Sequence, residues 1–163
     1  MALGDNTTAA ARGSSSRGRN PYLVQTIVDY ATALTDKGSA LAANDIIPCI
    51  AVPAGTLILN AGIEVDTVAS SGTTTLDLGT GVDVDCFVDG FDADSGTAAG
   101  TYAQNAAAYQ PLLAVAADTI DIKLATQSGT ALTFGKVRVF ALLMDVSDTG
   151  HSVATEVDRD YLA

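Results

Sequence analysis

Apolar and polar residues alternate along several short segments of this sequence, and this period of two constrains the fold most. The clearest case is residues 119–124, where three apolar residues alternate with Asp121 and Lys123. Successive side chains of a β-strand point to opposite faces, so the pattern predicts a strand with one buried face. The same pattern recurs in residues 63–66, 73–78 and 82–88.

The alternation also predicts which side chains point inward. Within residues 82–88 we expect Val82 and Val84 to face the core and the aspartates between and after them to face solvent. Within residues 73–78 we expect Asp77 on the face opposite to the leucines. These assignments follow from the period of two alone. Only one register places the apolar residues in the core, because a shift by one residue would move every side chain to the other face.

Four further segments are apolar but interrupted. For residues 22–30 we favour a strand, and the alternative is a short helix that runs on through residue 35. Residues 45–52 contain Pro48, which suits an edge strand or a bulge. The other two are residues 56–68, with a break at Gly62, and residues 109–116, interrupted by Pro111.

Together these segments predict about eight short strands, which are joined by turns rich in Gly and Thr. Residues 89–108, rich in Ala, Gly, Asp and Thr, are predicted as a loop with at most a helical turn. The pattern predicts an all-β fold, an antiparallel β-sandwich that is jelly-roll-like. The 163 residues, 48% of them hydrophobic, suffice for one domain with a real core and exclude a wholly disordered chain.

Residues 136–146 form the strongest predicted strand, which becomes apolar on both faces from Phe140 to Met144. A central strand that is covered on both sides would explain this pattern. A subunit interface, where symmetry mates bury the second face, would also explain it. For the second explanation the candidate interface residues are Phe140, Leu142 and Met144.

The chain divides into an extended N-terminal arm (residues 1–21), a body (22–146) and a polar C-terminal tail (147–163). Residues 1–20 carry three Arg and one Asp, a local charge of +2, so the total of -11 leaves -13 on the remaining 143 residues. We expect a basic arm that orders on an acidic partner surface; a disordered leader is the alternative. The candidate arm contacts are Arg12, Arg17, Arg19 and Tyr22.

The acidic body argues against nucleic acid or an anionic membrane as the partner. His151 is the single histidine, and neither Cys49 nor Cys86 has a neighbour at ligand spacing, so we expect no metal site, no cofactor and no enzymatic activity. Both cysteines are predicted to be reduced core residues. The cluster of Asp83, Asp85 and Asp89 is a weak candidate for calcium, and solvated turn residues are its simpler interpretation.

Turn-and-strand patterns recur at residues 52–56, 75–81, 83–90 and 135–143. Through these patterns about 100 residues of the sequence resemble the small virion proteins of tailed bacteriophages, especially marine ones, that decorate or cement the capsid. The resemblance implies a β-sandwich, often trimeric, on the outer surface of an icosahedral capsid assembled in the host cytoplasm. The implied partners are the major capsid protein and further copies of this chain.

Two alternatives remain at this point. The chain could be another virion component, such as a head fibre base, a neck protein or a tail protein. It could also be a ligand-binding β module, which would need a deep pocket lined by titratable groups.

Overall fold

The computed structural model describes residues 8–9, 20–70, 72–105 and 111–146. This part of the chain forms ten β-strands and one α-helix. The strands are β1 (Thr8–Ala9), β2 (Tyr22–Asp29), β3 (Ile46–Val52), β4 (Thr56–Thr67), β5 (Thr73–Thr80), β6 (Val88–Asp92), β7 (Tyr102–Gln104), β8 (Leu112–Ala114), β9 (Asp118–Ser128) and β10 (Lys136–Asp145), and the helix is α1 (Tyr30–Lys37).

The strands form two sheets that pack face to face. The first sheet has the order β1-β3-β9-β5-β6, and the second has the order β2-β10-β4-β7, with β8 also pairing with β4. Every pair is antiparallel except β1 with β3. From β2 to β5 each connection crosses to the other sheet, and β8, β9 and β10 alternate again. This wrapping is the jelly-roll arrangement, so the predicted sandwich is confirmed.

The core lies between the sheets and is built from alternate residues of each strand. On β9 the predicted alternation is confirmed, because Ile120, Ile122 and Leu124 are fully buried and the residues between them are half-buried on the other face. On β10 the core residues are Val137, Val139, Ala141 and Leu143. Both cysteines are free thiols, Cys49 buried and Cys86 half-buried.

Both interpretations of residues 22–30 hold in part, because the strand gives way to the helix at Asp29. The Asp29 side chain accepts a hydrogen bond from the Ala31 N–H at 2.9 Å and caps the first turn. The helix ends at Gly38, whose φ of 70° is a left-handed conformation that glycine adopts without steric cost. Tyr30 and Ala33 are the buried helix residues, and they close one end of the sandwich.

The prediction of a strand over residues 82–88 was wrong. Only Val88 belongs to a strand, and the Val82 side chain is 93% exposed instead of facing the core. The chain turns sharply here because the Thr80 N–H donates to the Asp83 carbonyl at 2.7 Å. The Thr80 hydroxyl also accepts from the N–H groups of Val82 and Asp83, and such local side-chain bonds compete with a strand ladder.

Three further expectations need correction. Gly62 does not break its strand, since β4 runs through it from Thr56 to Thr67. Residues 89–108, predicted as a loop, contain β7 and most of β6, which are too short for a clear period. Of the strand predicted over residues 109–116, the structure describes residues 111–116, and among these only the three residues of β8 are a strand. The predicted bulge near Pro48 is confirmed, because the register with β9 shifts between Pro48 and Ile50.

Asp77 lies opposite to the leucines of β5, as predicted, yet it is only 4% exposed. Its carboxylate accepts a hydrogen bond from the Gly90 N–H at 3.0 Å and lies 3.4 Å from the Lys123 ammonium on the neighbouring strand. The outer face of the first sheet therefore contains a covered ion pair. A period of two identifies the face of a residue but not what covers it.

Candidate interaction surface

The three predicted interface residues all lie on the outer face of the second sheet. Phe140 is opposite Gly62, Leu142 is opposite Leu23, and Met144 is paired with Leu57. All three are half-buried, whereas the core side of β10 is buried completely. β10 is thus a central strand within its sheet, and its outer apolar side chains are covered only in part by the described residues.

The outer face of the second sheet has a polar half and an apolar half. In the polar half, the Arg138 guanidinium bridges Asp66 at 3.0 Å and Glu64 at 3.4 Å, and Lys136 pairs with Asp29 at 3.1 Å. These groups are partly exposed, so each pair contributes at most about 1 kcal/mol to stability. The polar half follows from the first residues of β10, which alternate Lys-Val-Arg.

The apolar half lies toward the other end of β10. It consists of side chains from four strands, namely Leu23, Leu57, Leu113, Phe140, Leu142 and Met144. Leu23 and Leu113 are 64% and 46% exposed. A contiguous exposed apolar patch of this kind is typical of a protein–protein contact.

This apolar half continues into a cavity at one end of the sandwich. The cavity has a volume of about 510 Å³, and Leu113 belongs to both surfaces. The cavity is lined by Val52, Ile58, Thr80, Gly81, Val82, residues 112–117, Asp118 and Thr119. Of the described residues that line it, only Asp118 is titratable. The ligand-binding alternative expected several titratable groups, and this lining does not have that character.

This cavity was not predicted from the sequence. Val82 was assigned to the core, and Val115 was assigned to an interrupted strand, yet these residues are 93% and 86% exposed. The available signal was an apolar residue within a run of small residues, as in Ala114-Val115-Ala116-Ala117. That signal is weak, because single exposed apolar residues are ordinary. Only the fold brings these two loops together at one cavity.

The predicted arm contacts fall largely outside the described residues. Arg12, Arg17 and Arg19 lie outside them. Tyr22 is the first residue of β2, where it is paired with Leu143, is half-buried and packs against the core. The backbone of Thr8–Ala9 runs parallel to Ile50–Ala51 at the edge of the first sheet.

The aspartates of the weak calcium candidate lie in the turn after β5 and in β6. Asp83, Asp85 and Asp89 are all exposed. A hydrogen bond shared with Asp83 raises the pKa of Asp85, as two neighbouring carboxylates do when they compete for a proton. Within the described ranges, no group of three or more His, Cys, Asp or Glu residues is arranged to hold a metal ion. His151 lies outside these ranges.

Burial accounts for the state of the two cysteines. Desolvation raises the pKa of the Cys49 thiol to about 12 and that of the Cys86 thiol to about 11. Both thiols are therefore protonated at neutral pH, and a protonated thiol is a poor nucleophile. In the part of the chain that the structure describes, no helix is long and apolar enough to cross a membrane.

Comparison with known proteins identifies the class of fold. No protein-family model and no curated protein matches the sequence. A chain in the structure "Capsid of Ralstonia phage GP4" matches with a TM-score of 0.58 and 16% identity, covering 79% of this chain and 86% of that chain. A chain in "Cyanophage Pam1 capsid asymmetric unit" matches with a TM-score of 0.60 and 18% identity, covering 83% and 90%. This two-sheet sandwich is thus a fold that also occurs in phage capsid structures.

Proposed function

We propose that this chain is a structural, non-enzymatic virion protein that decorates and cements the outer surface of an icosahedral phage capsid. The observation that carries the proposal is the shared fold with chains of two phage capsids, each of which is covered over at least 86% of its length. The matches cover 79% and 83% of this chain, so most of it supports the proposal. The protein would join the particle in the host cytoplasm.

Cementing requires buried area at junctions between shell proteins. A decoration protein supplies that area, and a closed trimer distributes it symmetrically around a junction between major capsid proteins. The apolar half of the second sheet fits this role, with Phe140, Leu142 and Met144 in the contact between copies. The neighbouring ion pairs of Arg138 and Lys136 would form the polar rim that such interfaces have.

The basic arm supplies the second contact. Arg12, Arg17 and Arg19 can donate paired hydrogen bonds to carboxylates of a shell protein, a geometry that favours arginine over lysine. Tyr22, where the arm joins the body, would fix the direction in which the arm leaves. Ordering such an arm costs conformational entropy, so many contacts must form together.

Copy number tests the proposal against the alternative virion roles. Purified particles of the phage that encodes the chain would be analysed by quantitative mass spectrometry, with the major capsid protein as the internal standard. Decoration requires hundreds of copies per particle, because every equivalent junction is occupied. About a dozen copies or fewer would indicate a neck, tail or fibre-base protein, and absence from the particle would contradict a virion role.

The trimer is tested by light scattering on the full chain. We expect three times the 16.5 kDa chain mass for the wild type and one chain mass for Leu23→Asp, which places a charge opposite Leu142. Phe134→Asp is the control, because Phe134 is 56% exposed and precedes Lys136 at the polar end of β10. A monomeric wild type would contradict the proposed interface.

A further inference from the structure

The two ends of the sandwich are built differently. At one end, helix α1 and the segment after it close the core, with Tyr30 fully buried and Leu41 2% exposed. At the other end the cavity of about 510 Å³ opens between the sheets. We call this the open end; it comprises the cavity and the loops of residues 53–55, 81–87 and 115–117.

The open end exposes apolar surface that a closed end would bury. Val52 and Ile58 are 2% and 1% exposed within the cavity, whereas Val82 and Val115 stand on its rim almost fully exposed. Cavities of about 300–1,000 Å³ are large enough to receive a ligand or a protruding side chain. If a partner buried the exposed Val82 and Val115 side chains, apolar area would be removed from water without any movement of the sheets.

The polar side chains at the cavity are already engaged. The Thr80 hydroxyl accepts from the N–H groups of Val82 and Asp83, and the Asp118 carboxylate accepts from the Thr119 N–H at 2.8 Å. A partner that enters the cavity would therefore be held mainly by apolar contact and shape. This favours an aliphatic or aromatic side chain over a polar small molecule.

The body also begins and ends at this end. Tyr22 pairs with Leu143, which in turn pairs with the cavity residue Ile58. At the other terminus, the Val146 N–H donates to the Gly55 carbonyl at 2.9 Å, and the Gly55 N–H donates to Ala114 on the cavity wall. The first and last residues of the body's sheets, Tyr22 and Val146, therefore both lie beside the cavity.

The negative charge of the open end indicates which residues of a partner would lie around the side chain that enters the cavity. Asp83 and Asp85 are exposed in the loop that carries Val82. Their proximity disfavours two negative charges, and a cation from a partner would relieve this repulsion. Charged groups around an apolar contact steer association and set its specificity.

We infer that the open end is the surface that attaches to the shell, and that its cavity receives an apolar side chain of the shell protein flanked by Lys or Arg. The inference rests on the proposed function and names its contact. The outer face of the second sheet then remains available for contacts between copies. The two surfaces meet at Leu113, so neighbouring copies and the shell are contacted side by side.

The test uses shells of the same phage assembled without this chain, incubated with purified full-length protein and separated by sedimentation. The double variant Val82→Asp and Val115→Asp should bind the shells at least about tenfold more weakly than the wild type. Both valines are exposed, so its thermal midpoint and trimer mass should match the wild type. Phe134→Asp, at the closed end, is the matched control and should bind like the wild type.

The outcomes separate the two proposals. If the wild type and the double variant bind equally, the attachment surface is wrong and the decoration role stands. If the wild type does not bind, the decoration role fails and the attachment surface falls with it. If the double variant loses its trimer, the cavity is a contact between copies, which would also overturn the inference.

A second variant tests the charge. Asp83→Asn with Asp85→Asn should weaken binding to shells and should reduce its dependence on salt, because fewer ion pairs are then screened. Unchanged affinity and an unchanged salt dependence would contradict the inference that Lys or Arg flanks the entering side chain.

Discussion

Phe140 on β10 lies across the backbone of Gly62 on β4, so that a Cβ atom at position 62 would overlap with the Phe140 ring. A Cβ atom at this position would also lie only 2.7 Å from the Ala103 carbonyl oxygen and 2.9 Å from the Gln104 Cβ. The glycine is therefore required by close packing on the outer face of the sheet, and not by a turn.

Gly62→Ala should lower the free energy of unfolding by about 1–3 kcal/mol, the usual cost of overpacking. Urea denaturation measures the change. Gly72→Ala is the control, because a Cβ there meets nothing closer than 3.5 Å, and its effect should be small. Equal effects of the two substitutions would show that Phe140 moves aside freely.

The two lysine ion pairs should differ in their contribution to stability. Asp77 has a side chain only 6% exposed, so Lys123→Met leaves a buried carboxylate without its cation and should cost about 1–3 kcal/mol. Lys136→Met removes the ion pair between Lys136 and Asp29. The two side chains are 41% and 32% exposed, so the loss should cost less than about 1 kcal/mol of stability. Urea denaturation of both variants in parallel would reveal the difference, and the reverse order would refute this account.

The Tyr30 hydroxyl is buried and has no hydrogen-bond partner among the described residues. Burying an unpaired hydroxyl costs free energy, so Tyr30→Phe should leave stability unchanged or raise it by about 1–3 kcal/mol. Tyr102→Phe is the control, since Tyr102 is 65% exposed, and it should be neutral. A clear loss of stability in Tyr30→Phe would reveal a partner for the hydroxyl.

Stability should fall at alkaline pH. Burial raises the pKa of the Cys49 thiol from its ordinary 9.0 to about 12, so the unfolded chain loses this proton at a lower pH than the folded chain. The corresponding stabilisation is complete below pH 9.0 and is lost as the pH rises toward about 12. Burial also raises the pKa of Tyr30, which acts in the same direction.

Cys49→Ala isolates the contribution of the thiol. Its stability should be lower at neutral pH, because a buried side chain is shortened, but it should decline less steeply with pH than that of the wild type. Denaturant unfolding in a series of buffers from about pH 8 to pH 11 measures both slopes. Parallel curves for the two proteins would contradict the contribution of Cys49.

The prediction of the sandwich depended on long strands that each present one face to the core. β9 and β10 are 11 and 10 residues long and have a clear alternation, so their existence and inward residues were predictable. β6, β7 and β8 have only three to five residues, fewer than a period needs to be recognised. The strand predicted over residues 82–88 was wrong because the Thr80 hydroxyl accepts from the N–H groups of Val82 and Asp83 and holds the chain in a turn there.

The sequence by itself determined the all-β class, the two-faced apolar stretch of β10 and the contrast between the positive charge of residues 1–20 and the negative charge of the rest. These features are local, because period and charge are properties of consecutive residues. Only the tertiary structure decided that Val82 and Val115 meet at one cavity, that Phe140 covers Gly62 and that Asp77 is buried. Each of these arrangements depends on segments that are distant in the sequence, and no local pattern contains the sheet order that brings them together.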